Sequence, residues 1–248
     1  MSLKKAVRSL IILECPEALE AVDIRKSKTT KTALSCEKEL ERYLVNLYSL
    51  IIKNKMSELS ARYQFEEEVR RMTRSCVQKT WFAGMDYVGK ATKTSPTLKV
   101  DDVLKMEEVV ERIVNDFFAK ISNLIPVMEA VKKEDWSDWI NVFSFAKTNQ
   151  LIHQQIVNQV KTIPASNMFR VLDMATTDTM QALNADGTIS TKGLVFTTED
   201  DINVCATCYP YHDRVYDNDD PYKPEIPVHP NCRCRYLIED DQGNGIYG

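Results

Sequence analysis

Met180-Gln-Ala-Leu-Asn184-Ala-Asp-Gly187-Thr-Ile-Ser-Thr-Lys-Gly193-Leu-Val-Phe-Thr197 is the stretch in which one kind of chain gives way to another. Its first residues end an amphipathic helical pattern, and Asn184-Ala-Asp-Gly187 is a good helix-stopping turn. Its last residues, Leu194-Val-Phe-Thr197, are β-branched and aromatic, as a strand requires. Composition breaks at the same place. Residues 1–184 contain only Gly84 and Gly89, whereas the other five of seven glycines follow. Five of nine prolines lie between Pro210 and Pro230, and four of seven cysteines between Cys205 and Cys234. From residue 185 onward five Lys/Arg face twelve Asp/Glu, a net of −7, so the first part carries +3 of the overall −4. The reading is therefore of two regions, 1–184 helical and 185–248 a small module of loops and strands.

Upstream of the break the apolar residues recur at three- and four-residue steps. Leu40, Tyr43, Leu44, Leu47, Ile51, Leu59 and Tyr63 form one such stripe, and Val69, Met72, Cys76, Val77, Thr80 and Trp81 a second. After the breaker Thr94-Ser-Pro96 a third runs from Val103 through Met106, Val110, Ile113 and Phe117 to Ile121, with Asp101 and Asp102 suited to its N-terminus. Pro126 is expected to interrupt it. The pattern resumes through Trp136, Trp139, Ile140 and Phe143 to Val160, Pro164 is expected to end that segment, and a last helix is expected over roughly 167–183. The predicted class is mainly α: a long-helix N-terminal region followed by a small α+β, metal-clamped C-terminal module. With 44% hydrophobic residues the chain has material for a core. No apolar run approaches the ~18 residues of a membrane span. The brief apolar Leu10-Ile-Ile-Leu13 stops at Glu14, so a soluble, non-secreted protein is expected.

Downstream, a second strand is predicted from Arg233 to Ile238. Cys232, Cys234, Tyr236 and Ile238 would share one face, and Arg233, Arg235 and Glu239 the other. Around these strands lie Cys205-Ala-Thr-Cys208, twenty further residues, and His229-Pro-Asn-Cys232-Arg-Cys234. Two sulfur ligands on one tight turn and a second group on another can clamp a tetrahedral ion, which suits a module too small to make its own core. The candidate ligands to a structural zinc are Cys205, Cys208 and Cys232, with His229 or Cys234 completing the set. Packing of the cysteines as small apolar residues, or disulfides between the pairs, is the alternative, although seven cysteines cannot all pair internally. Arg233 is a candidate structural residue, its fork reaching a carboxylate such as Asp201; the competing reading is a solvated arginine.

Other motifs carry less. A calcium loop around Gly187 would need acids at Ala182 and Gly193. A catalytic deaminase zinc would need His-x-Glu before Pro-Cys-x-x-Cys. No Gly-x-x-x-x-Gly-Lys, Gly-x-Ser-x-Gly or His-Glu-x-x-His occurs. His153 has no partner in sequence. The clusters Arg25, Lys26, Lys28, Lys31 and Arg70, Arg71, Arg74 could meet DNA phosphates, but a solvated helix face accounts for them better.

The string Asp201-Ile-Asn-Val-Cys205-Ala-Thr-Cys208-Tyr-Pro-Tyr-His-Asp-Arg-Val215-Tyr216, followed by Ile226-Pro-Val-His229-Pro-Asn-Cys232-Arg-Cys234, closely resembles the signature of phage head-morphogenesis proteins, the Mu F-like minor head proteins of tailed viruses. The resemblance spans about 35 residues, and its His-Pro-Asn-Cys-Arg-Cys end is the most specific part. Asn203 stands where the family usually has Arg, and Phe196 near a usual Trp. The resemblance implies a non-enzymatic minor virion component, located in the head interior or at the portal vertex. It would bind the portal protein or the major capsid protein, assist head assembly and genome packaging or delivery, and have no membrane or small-molecule substrate. Genomic DNA is a further expected contact. A nucleic-acid-binding zinc module with a helical oligomerisation region is the competing reading, and the −7 charge of the module opposes it.

Overall fold

The structure is a computed structural model. It describes residues 28–54, 56–132, 139–189, 193–198, 206–229, 232, 234–240 and 242–246, with backbone alone for 28, 123–132 and 139–153. Four long helices come first: α1 (Lys28–Lys53), α2 (Glu58–Thr92), α3 (Val100–Lys132) and α4 (Trp139–Ala185). A small sheet follows, with β1 (Leu194–Thr197), β2 (Val215–Tyr216) and β3 (Arg235–Ile238) in the order β2-β1-β3, antiparallel throughout. The chain is mainly α with a small C-terminal sheet, as its periodicities predict. No helix among the described residues is long and apolar enough to cross a membrane.

Helices α2 and α4 pack on each other and on both α1 and α3. Leu40, Leu44, Ile51, Val77, Trp81, Val110, Phe117, Val160 and Met168 belong to one continuous buried core. Gly84 explains its own scarcity. A Cβ there would lie 2.7 Å from the Ala175 Cβ, so glycine permits the close approach of α2 to α4. Outside this core two interhelical forks join α2 to α3. Arg70 meets Glu111 at 2.9 and 3.0 Å, and Arg74 meets Glu107 at 2.7 Å through both nitrogens. These two arginines are engaged within the fold, which leaves them poorly placed for phosphate. Lys31 and Arg71 are exposed, while Arg25, Lys26 and the Lys28 side chain lie outside the described residues.

Three expectations are corrected. Leu59 and Tyr63 are 79% and 95% exposed, so the first stripe ends at Ile51. Ser57 accepts the Ser60 N–H at 3.2 Å and starts a new helix there, turning those two side chains to solvent. Neither Pro126 nor Pro164 ends a helix: α3 and α4 run through them. At Pro164 the reason is packing, since Val160, Ile163, Met168 and Val171 on both sides are buried in the core and outweigh one lost backbone bond. Val103, expected on the buried stripe, is 42% exposed. The strand expected from Arg233 is observed from Arg235, with Arg233 itself outside the described residues.

The sheet is a middle layer. Val195 and Leu237, paired in register, face Tyr87, Val88, Met180 and Leu183 of the helices. Phe196 and Tyr236, the next pair, face the other way into the loop cluster. Consequently β3 is buried on both faces, and the expected charged face is absent at Arg235. That residue is 3% exposed, its guanidinium 5.8 Å from the centre of the Tyr87 ring. Tyr87 rivets the layers: its hydroxyl accepts the Ile238 N–H at 2.9 Å and donates to the Ile246 carbonyl at 2.7 Å. Arg170 of α4 adds a pair with Glu225 at 3.2 Å.

Candidate metal centre

Two tight turns bring the donors together on the far side of the sheet. The first follows Ala206 and Thr207, which are exposed, and closes with the Tyr211 N–H donating to the Cys208 carbonyl at 3.0 Å. Pro210 at the start of the short 3-10 turn Tyr209–Tyr211 presets that geometry. The second closes with the Cys232 N–H donating to the His229 carbonyl at 3.0 Å. The two turns carry Cys208 on one side and His229 and Cys232 on the other.

Their donor atoms all lie within 4.8 Å of one another. The His229 Nε2 is 3.1 Å from the Cys208 sulfur, and the Cys208 and Cys232 sulfurs are 3.9 Å apart. Cys208 and Cys232 are buried, and His229 is partly exposed at the rim. Leu194, Phe196, Ile226 and Tyr236 wall the sulfurs off, and Phe196 meets both Tyr211 and Tyr236 edge-on at 5.7 and 5.4 Å. The Tyr236 hydroxyl donates to the Pro224 carbonyl at 2.8 Å, which holds the proline-rich loop over the cluster.

Cys234 lies in the same buried apolar cluster as Cys208 and Cys232. Interaction with the neighbouring Cys232, together with burial, holds its thiol protonated, and the same interaction favours thiolate at Cys232. The Cys232 thiol is accordingly brought down to about 5. Cys234 is not one of the three clustered donors. Cys205 and Asp201 lie outside the described residues, as does Arg233. The Cys208–His229–Cys232 cluster can hold a metal ion: one thiolate, one imidazole and a second sulfur converge in an apolar shell.

One polar residue at this seam escaped the sequence reading. Asp173 of α4 sits in the apolar run Val171-Leu-Asp-Met-Ala175. Its Oδ1 is buried with no hydrogen-bond partner among the described residues. Burial pushes its carboxyl up to about 7, against the opposing pull of Lys223 and of a backbone hydrogen bond from Tyr236. An acid inside an apolar helical run was the available signal; what it would face was not. The side chains of His153, Trp139 and Phe143, and all of Trp136, lie outside the described residues.

Comparison of the chain with protein-family models, with curated proteins and with solved structures gives no match.

Proposed function

We propose that the chain is a minor head protein of a tailed virus, associated with the portal or the inner capsid wall and assisting head assembly and genome packaging or delivery. The observation that carries this reading is the coincidence of motif and cluster. The segments that resemble the head-morphogenesis signature are the ones whose Cys208, His229 and Cys232 converge. In this reading the ion is zinc and structural. A tetrahedral zinc with ~2.3 Å sulfur bonds separates two sulfurs by about 3.8 Å, close to the spacing of Cys208 and Cys232. Cys205, three residues before Cys208 in the Cys-x-x-Cys spacing, is the fourth ligand, and Cys234 packs beside Cys232 and favours its thiolate. Burial of the sulfurs favours a clamp over catalysis, because a nucleophilic thiol needs an approach for its substrate. The helical body is the docking element, and the aromatic stripe Trp136, Trp139 and Phe143 its proposed anchor.

The test is co-expression of the full chain with the portal protein, and separately with the major capsid protein, of the same genome. A complex that survives size separation at moderate salt is expected with one of them. It should persist in Cys208→Ser, since docking is assigned to the helices. A chain that stays apart from both, and is missing from purified heads, would overturn the reading.

A further inference from the structure

The fold separates charges that the sequence mixes. Glu37-Lys-Glu-Leu-Glu-Arg42 of α1 holds three acids and two cations. Glu37 is buried, while Glu39 turns to Lys79 of α2 and Glu41 to Lys161 of α4, each at 3.6 Å. Lys38 and Arg42 stay exposed, with no carboxylate partner among the described residues. They differ in this from Arg62, Arg70, Arg74 and Arg112, which are engaged by Glu58, Glu111, Glu107 and Glu108. The separation runs the length of the helix. Among the exposed residues of α1 are four cations, Lys31, Lys38, Arg42 and Lys53, and no acid. At 3.6 residues per turn these four fall within a sector of about 60°, and at 1.5 Å per residue they span about 33 Å. Ser35 and Asn46 are exposed along the same line. Against its middle lies a hollow of about 340 Å³ between α1 and α4, with Lys38, Arg42 and Asn46 from one helix and Lys161 from the other. Its three cations face the single acid Glu41, a net of +2.

We propose that this outer stripe of α1, with the α1–α4 hollow at its middle, binds the phosphate backbone of double-stranded DNA. The inference stands apart from the head-protein reading, because it rests on the charges of α1 and not on the C-terminal motif. Length selects the ligand. A free nucleotide could fill the hollow but could not also reach Lys31 and Lys53 at the two ends, whereas a DNA backbone repeats its charge along the whole stripe. Rigidity selects the duplex: a straight helix offers its cations on a fixed line, and a single strand would lose conformational freedom in being laid along it. Lys38 and Arg42, one helical turn apart, and Lys161 across the hollow hold the central phosphates, and the Asn46 amide can donate to a phosphate oxygen. The acidic C-terminal module repels the same polyanion and steers it to the helices. Contacts of this kind carry no sequence information, so the binding is sequence-independent and strongly salt-dependent.

The full chain, as purified, is titrated into a fluorescently labelled DNA duplex of arbitrary sequence, and anisotropy is read between about 50 and 200 mM salt. Four phosphate contacts should give a slope of log affinity on log salt of about −3 to −4, a loss of roughly a hundredfold across that range. Arg42→Gln should reduce the magnitude of the slope by about 1 and the double variant Lys38→Gln/Arg42→Gln by about 2. Arg71→Gln removes an equally exposed charge from α2, off the stripe, and should leave the slope unchanged. All three changes are at exposed positions, and an unaltered circular dichroism spectrum confirms that each variant is folded. No binding at the lowest salt would overturn the proposal. So would an unchanged slope in the double variant, or an effect of Arg71→Gln as large as that of Arg42→Gln, which would mean that net charge and not this stripe attracts the DNA. Tighter binding of tripolyphosphate, or of a single strand of the same length, than of the duplex would overturn the assignment to double-stranded DNA.

Discussion

The helical region and the C-terminal module face the same problem, burial of enough apolar surface, and meet it with different means. The helices share one continuous core from Cys36 to Ala175, and α2 and α4 reach every other helix. Nothing beyond side-chain packing is needed there, and the ion pairs sit at its edge. The module has three strands of two to four residues and cannot close a core alone. It leans on the helices through Val195 and Leu237, and on the other face it gathers sulfur and imidazole beneath Phe196 and Tyr236. The difference teaches that length decides the device. Long periodic segments are stabilised by contact area, whereas short ones need a cross-link, and here the Cys208–His229–Cys232 cluster, which can hold a metal ion, is placed to supply one.

The sharpest way to break this contrast is to remove a clamp ligand. Cys208→Ser should abolish metal binding, read as a fall from about one ion per chain to none by elemental analysis, and should leave the module open to protease while the helical circular dichroism signal is kept. An equally resistant module without metal would show that both regions rely on packing alone.

Next in size is the buried carboxylate at the seam. Asp173 is raised to about 7 in the folded chain against ~3.9 when unfolded, so its contribution is intact below about pH 4 and is lost as pH rises through about 7. Asp173→Asn should therefore leave stability near pH 4 little changed and raise it at pH 8 by on the order of 4 kcal/mol. Denaturant melts at both pH values check this; a gain of the same size at both would mean that ionisation is not the cause.

A smaller effect tests how the two regions are joined. Tyr87→Phe keeps the ring but strips the hydroxyl from the Ile238 N–H and the Ile246 carbonyl. The loss should be about 1–2 kcal/mol, because a buried N–H is left unsatisfied. Hydrogen exchange should show it as faster exchange at Ile238, with the amides of the α1–α2 core unchanged. The smallest effect belongs to the helical edge. Arg74→Lys removes the fork on Glu107 and should cost about 0.5 kcal/mol in low salt, fading as salt is added, since both side chains are more than a third exposed.

The order of the elements, the class and the place of the change at Asn184–Gly187 were readable because helical periodicity and glycine and proline usage are local properties. So was the nomination of His229 and Cys232 alongside Cys208, since ligand spacing on tight turns is local too. The errors have one physical origin. Leu59 and Tyr63 are apolar and well spaced, but their helix begins anew at Ser57, and nothing in their own spacing says which way it turns. Pro164 is a breaker by propensity, yet α4 continues because its neighbours on both sides are held in the core.

By itself, then, the sequence determined what each segment prefers: a run of amphipathic helical stretches, two short strands, a proline-rich loop and a set of soft donors at clamp spacing. Only the tertiary structure decided which preferences meet. It buried Arg235 against Tyr87, enclosed the Asp173 Oδ1 without a hydrogen-bond partner among the described residues, and brought Cys208, His229 and Cys232 together from two separate turns. Each of these is a contact between residues distant along the chain, and such contacts follow from the packing of whole elements rather than from any periodicity within one.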